Sequence, residues 1–107
     1  MSCLFCRIAA GEIAAKKMFE DELSVVFADV NPQAPTHVLV IPREHFADVT
    51  EVPAALLGHL LDVAARQGKM LAGGFRIAIN TGPDGGQTVQ HVHLHVLGGR
   101  PMGWPPG

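Results

Sequence analysis

Three histidines, His91, His93 and His95, alternate with Val92, Leu94 and Val96, and that alternation leaves little room for anything but a β-strand. Successive side chains on a strand point to opposite faces, so the imidazoles share one face and the branched residues anchor the other. A helix would scatter positions two apart around its circumference. At a rise of about 3.3 Å per residue, neighbouring histidines stand roughly 7 Å apart at Cα. Such a row serves metal ligation, proton transfer or nucleophilic attack by a neutral imidazole. The competing reading is a solvated sheet face without function, which the phasing of half of the chain's 6 histidines on one short strand disfavours.

The 107 residues suit one domain, 1–107, and 48% hydrophobic against 17% charged residues implies a packed core. A net charge of -2 with 8 scattered Lys and Arg gives no footprint for nucleic acid or an anionic membrane, so small ligands are the expected partners. No apolar run approaches the roughly 18 residues that span a bilayer. Met1-Ser2-Cys3-Leu4-Phe5-Cys6-Arg7 lacks a basic segment followed by an apolar one, and the expected location is cytoplasmic. Cys3 and Cys6 are too few for a disulfide scaffold and have the spacing of zinc sites and of redox pairs.

Along the chain, residues 3–10 predict a short helix ending at Gly11. Residues 16–20 and 23–30 read as strands joined by the Asp21-Glu22 turn, and 37–41 as a third strand stopped by Pro42. Pro32 and Pro35 force a loop between the last two. Leu56, Leu57, Leu60, Leu61, Ala64 and Leu71 recur at helical spacing over 53–72, with Pro53 in the first turn and Gly73-Gly74 at the end. Residues 75–80 alternate again, and a glycine-rich turn leads into the histidine strand. Strands, one long helix and further strands with short connections predict an α+β domain with one antiparallel sheet. Residues 100–107 are too rich in Pro and Gly for regular structure, and Trp104 within them packs either on its own domain or on a neighbouring subunit.

Gly85-Gly86-Gln87-Thr88 offers backbone N–H groups, an amide and a hydroxyl just before the imidazoles, as an anion-binding turn requires, although an ordinary connecting turn explains the glycines as well. Asn80 adds a donor, and Asp29 an acceptor for ribose hydroxyls, unless either serves turn chemistry alone. With Asp29-Val30-Asn31-Pro32-Gln33-Ala34-Pro35-Thr36-His37, Leu97-Gly98-Gly99-Arg100 and Trp104-Pro105-Pro106-Gly107, the His-x-His-x-His segment closely resembles the Hint branch of the histidine triad superfamily, the histidine triad nucleotide-binding proteins, essentially end to end. The resemblance implies a five-stranded antiparallel sheet with one long and one short N-terminal helix, doubled into ten strands in a homodimer. It implies hydrolysis of purine nucleoside 5'-phosphoramidates, derived from AMP or GMP, and of acyl adenylates. In that scheme His93 attacks the α-phosphorus and forms a nucleotidyl-histidine. His95 contacts the phosphate and helps move the proton, and His37 completes the cluster around His93 with His91. One His93 nitrogen attacks while the other holds its proton against an acceptor, expected to be a main-chain carbonyl nearby. Asp29 and Val30 would line the nucleoside pocket, Asn80, Gly86, Gln87 and Thr88 would hold the phosphate, and the tail with Trp104 would lie near the partner's site. No cofactor is required for this chemistry.

Bacterial-type relatives with a CxxC pair bind structural zinc through residues that match Cys3, Cys6, His45 and the first triad histidine, His91. Four N or S ligands suit zinc, and inert buried cysteines are the alternative. The chain departs from the family pattern at Thr88, where Ser is usual, at Gln90, where an aromatic is common, and in the short connection through Gly73-Gly74. Alternative functions are a dinucleoside polyphosphate hydrolase, a nucleotide-binding or scaffold protein with little turnover, and an HxH zinc hydrolase.

Overall fold

In the computed structural model, which describes residues 3–107, the chain forms α1 (Leu4–Ala9), β1 (Lys17–Glu20), β2 (Ser24–Ala28), β3 (Thr36–Pro42), α2 (Ala54–Lys69), β4 (Phe75–Ala78) and β5 (Leu94–Gly98). Met1 and Ser2, on which part of the reading of the N-terminus rests, lie outside the described residues. The five strands make one antiparallel sheet in the order β1-β2-β3-β5-β4. Fold class and element order follow the sequence expectation. No helix among the described residues is long and apolar enough to cross a membrane.

Both faces of the sheet are covered, which is why Val25, Val26 and Phe27 run unbroken. Val26, Val38, Val40, Leu94 and Val96 point to one face and pack with Val92 under Leu60, Val63 and Ala64 of α2. Val25, Phe27, Leu39 and Ile41 point to the other and pack on Phe5, Ile8 and Ala9 of α1. Each such side chain removed from water contributes about 1.5–3 kcal/mol. The β3–β5 register sets Leu39 opposite His95 and His37 opposite Leu97, so both histidines belong to the α1 face.

Several boundaries differ from expectation for identifiable reasons. The ladder of β5 begins at Leu94, not His91, because continuing it would set Val92 opposite Pro42, which has no N–H to give. Val92 instead donates its N–H to the carbonyl of Phe46 (2.8 Å), and residues 91–93 keep the alternation of faces outside the ladder. Helix α2 starts after Pro53, whose carbonyl takes the N–H of Leu57 (2.9 Å), and ends at Lys69 in successive tight turns closed by Leu71 and Gly74. Gly74 turns the chain there with φ +90°, a conformation side chains disfavour. Strands β2 and β4 stop two residues early, which leaves Val30 and Asn80 in loops, and a short 3₁₀ turn, Val49–Glu51, precedes α2. Residues 100–107 take no regular structure.

Candidate functional site

The α1 face of the sheet carries an open cleft of about 450 Å³, walled by Leu4, Phe5 and Ile8 of α1, by Phe27 and Leu39, and closed at one end by His93 and His95. That volume lies within the usual range for small-molecule sites. Asp29, Val30 and Thr88 also line it.

The imidazoles are oriented by acceptors and donors that fix their tautomers. His93 Nδ1 lies 2.8 Å from the His91 carbonyl. A carbonyl only accepts, so Nδ1 carries a proton, and in the neutral ring the lone pair is on Nε2. Phe5, edge-on at 5.1 Å between ring centroids, holds the His93 ring from the α1 side. The Gln33 N–H donates to His37 Nδ1 (3.0 Å), which puts the proton of His37 on Nε2. That atom lies 2.9 Å from His95 Nδ1 and 3.3 Å from Asp29 Oδ2. His95 Nδ1 therefore accepts, and its proton sits on Nε2, a buried atom with no partner in the protein. Burial, reinforced by the His93 and His37 rings and opposed by Asp29, depresses the His95 pKa to about 4, so its ring is neutral at physiological pH.

His91 turns away from the cleft. Its ring is wholly buried and donates from Nε2 to the Pro42 carbonyl (2.9 Å), which leaves the Nδ1 lone pair facing Cys3 Sγ (3.4 Å), Cys6 Sγ (3.5 Å) and His45 Nδ1 (3.1 Å). Cys6 Sγ lies 3.3 Å from His45 Nδ1, and all four ligand atoms fall within 4.8 Å of one another. Zinc bond lengths and tetrahedral angles place N and S ligands roughly 3.3–3.8 Å apart, so these donors fit one such ion. Burial, with the adjoining Cys3, raises the Cys6 thiol above its ordinary pKa, as befits sulfurs gathered without a positive group.

Not every expected residue offers its side chain to the cleft. His91 does not reach the cleft with its side chain; its carbonyl is what touches His93. His37 joins the cluster around His93 through the His95 ring, whose centroid is 5.1 Å from that of His37 and 5.0 Å from that of His93. Gln87 cannot offer its side chain to a ligand: Oε1 accepts from the Gly82 N–H (3.0 Å), and Nε2 donates to the carbonyls of Ala47 (2.7 Å) and Val89 (3.0 Å). The N–H groups of Gly86 and Gln87 are likewise spent on Pro83 and Gly82 within the turn. The N–H groups of Thr88 and Val89, on the cleft wall, have no main-chain partner among the described residues. Asn80 is half-buried outside the cleft, Val30 is 99% exposed at its rim, and Trp104 is 83% exposed and away from it. Phe5 and Gln33 went unmarked in the sequence. Phe5 was legible in principle as an apolar residue between two cysteines of one helical turn, whereas the Gln33 contact is a main-chain one and leaves no side-chain signal.

Residues 10–102 match the HIT domain family. The chain belongs to that family. A HIT family hydrolase from Legionella pneumophila superposes with a TM-score of 0.94 at 46% identity, over 99% of this chain and 100% of that one. A histidine triad nucleotide-binding protein from Candida albicans superposes with a TM-score of 0.85 at 34% identity, over 97% and 83%. Among curated relatives, a 14 kDa zinc-binding protein of Zea mays is 45% identical over 97% of this chain and 87% of its own length. In this HIT domain the conserved fold therefore brings the histidines and the cleft together on the face under α1.

Proposed function

We propose that this HIT protein is a purine nucleoside phosphoramidase that works through a covalent nucleotidyl-histidine. The observation that carries the reading is the pairing of two imidazoles in complementary states at one end of the cleft. The His91 carbonyl holds the Nδ1–H of His93, so the neutral ring carries its lone pair on Nε2, and His95 has an unpartnered Nε2–H.

The apolar walls take the purine, the Asp29 carboxylate accepts from the ribose, and the α-phosphate lies between His93, His95 and the free N–H groups and hydroxyl of the Thr88 segment. His93 Nε2 attacks phosphorus and the P–N bond breaks, with the amine leaving with a proton taken from solvent. His95 donates a hydrogen bond to the phosphoryl oxygens where charge develops. Water then attacks phosphorus, the bond to His93 breaks with its electron pair returning to Nε2, and one proton is released. The same chemistry accepts acyl adenylates, in which the P–O bond to an acyl group breaks. The nucleotide-binding relative supports a nucleotide as the ligand, and resemblance to the Hint branch supports a purine.

Cys3, Cys6, His45 and His91 would hold a structural zinc that supports this arrangement without taking part in the chemistry. It would tie α1, which carries Phe5, to the His91 whose carbonyl holds the nucleophile. A homodimer is part of the same reading. Both sheet edges are four residues long and each exposes a phenylalanine, Phe19 and Phe75, but β1 carries the charges of Lys17 and Glu20 and β4 only that of Arg76, which leaves β4 the less guarded edge. Pairing two β4 edges yields ten strands and leaves the tail with Trp104 free to reach the partner's cleft.

The test is release of AMP from an adenosine 5'-phosphoramidate by the wild type and by His93→Ala. The reading expects release by the wild type alone and retained AMP binding by the variant. Absence of release by a folded, nucleotide-binding wild type would overturn it.

A further inference from the structure

The Gly99-Arg100 pair at the end of β5 has no part in the cleft, yet Arg100 directs its guanidinium at a single distant carbonyl. Its Nε (3.1 Å) and Nη2 (3.0 Å) both donate to Gln33 O, in the loop between β2 and β3. Nη1 donates to the Pro101 carbonyl (3.0 Å), which fixes the fork in place. Gly99 brings the two segments together. It has φ +92°, and a Cβ there would lie 2.8 Å from the Pro35 side chain, so no larger residue allows this approach.

Gln33 is the residue whose N–H donates to His37 Nδ1. The loop is ordered from within by the Asn31 N–H on Asp29 Oδ1 (2.9 Å) and by Gln33 Nε2 on the Asn31 carbonyl (3.0 Å). Arg100 holds it from outside. Resting on the function proposed above, we infer that Arg100 is a positioning residue that fixes the direction of the hydrogen-bond chain Gln33–His37–His95. With the Gln33 N–H in place, His37 donates and His95, which lines the cleft, keeps its proton on the buried, unpartnered Nε2. Without it, only the Asp29 carboxylate, 3.3 Å from His37 Nε2, still favours the proton there, and in part of the population that proton moves to Nδ1, His37 Nε2 becomes an acceptor and His95 places its own proton on Nδ1. A lone pair then faces the phosphoryl oxygens in place of a donor. One main-chain contact thus selects between an attractive and a repulsive group at the site of developing charge.

The discriminating experiment is ¹⁵N NMR of the imidazoles in wild type, Arg100→Gln and Arg100→Lys, with phosphoramidate kinetics and AMP and adenosine binding on the same samples. The wild type is expected to show His95 protonated at Nε2, and Arg100→Gln a mixture of tautomers. In that variant kcat falls about 3- to 10-fold, in proportion to the fraction of His95 still protonated at Nε2 and short of the roughly 100- to 1,000-fold cost of losing an oxyanion donor outright. AMP binding weakens relative to adenosine, which has no phosphate to meet His95. Arg100→Lys, with one donor left, recovers part of each change. An unchanged His95 pattern in Arg100→Gln overturns the inference, whether or not the variant loses stability. So does equal weakening of AMP and adenosine. A tautomer change in Arg100→Gln, in a wild type that releases no AMP, would instead overturn the phosphoramidase reading and leave the clamp standing.

Discussion

His91 and His93 are joined by 2.8 Å between the carbonyl of the first and Nδ1 of the second, while the ring of His91 faces the opposite way into the Cys3, Cys6 and His45 cluster. One residue therefore belongs to two sites, its ring to the ligand cluster and its carbonyl to the nucleophile. Displacing the His91 ring would also displace the acceptor that sets the tautomer of His93.

Cys3→Ser separates metal binding from helix capping. Cys3 Sγ accepts the Cys6 N–H at the start of α1 (3.4 Å), a role a serine hydroxyl fills at least as well. Metal analysis of protein purified without chelator is expected to give one zinc per wild-type chain and far less in Cys3→Ser, with a melting temperature several degrees lower. Equal metal content in the two would refute the four-ligand site.

Phe5→Ala should be the most costly single change on the cleft side. The ring is buried edge-on against Phe27 (5.4 Å) and His93 (5.1 Å), and its removal leaves a cavity in the smaller core. Denaturant unfolding is expected to show a loss of about 3–5 kcal/mol, with weaker nucleotide binding.

His95 should titrate near pH 4 in an NMR titration, because burial depresses its pKa to about 4 from 6.5. The sign follows from linkage. Between those values the unfolded chain takes up a proton that the folded ring refuses, so this group lowers stability as pH falls from 6.5 towards 4 and adds no further change below. A midpoint near 6.5 would remove the argument for a neutral donor.

Asp21, in the turn between β1 and β2, acts in the other direction. Burial raises its pKa, but this is outweighed by hydrogen bonds from the Leu23 N–H, the Ser24 hydroxyl, His59 and the Ser24 N–H, which together hold it at about 2. The stabilisation is complete above the ordinary carboxylate range and is lost as pH falls from about 4 to about 2. Asp21→Asn should cost about 1–2 kcal/mol at neutral pH after allowance for solvent screening, and flatten the acid limb of a pH–stability curve.

Phe75→Asp tests the proposed dimer. A charge on the β4 edge is expected to convert a dimer to a monomer by light scattering, without loss of secondary structure. A wild type that is already monomeric at micromolar concentration would rule out the β4 interface.

The fold was legible because its signals are periodic. Val92, Leu94 and Val96 declare a buried face, and Leu56, Leu57, Leu60 and Leu61 an amphipathic helix, whatever their tertiary partners. Cys3 and Cys6 declared ligands, and resemblance supplied His45. What stayed hidden is carried by main-chain atoms and loop geometry. Pro42 both ends the β5 ladder and orients His91 through its carbonyl, Gln33 sets the tautomer of His37 through its N–H, and Gln87 is spent on the turn it was expected to serve. None of these roles changes the side-chain pattern that a sequence displays.

The two faces of the sheet are roofed unequally, by the 16 residues of α2 on one side and the 6 residues of α1 on the other. A helix of one and a half turns has no stability of its own. It survives only while docked, with Arg43 helping by donating to the Ala9 carbonyl (3.0 Å). In the metal-free protein, native-state amide exchange should consequently begin at α1, at a free energy well below that of global unfolding, while the amides of β3 and β5 remain protected. The reactive half of the molecule is also its soft half, and the deep apolar wall that a purine would touch can be uncovered by a local excursion that leaves the α2 half intact.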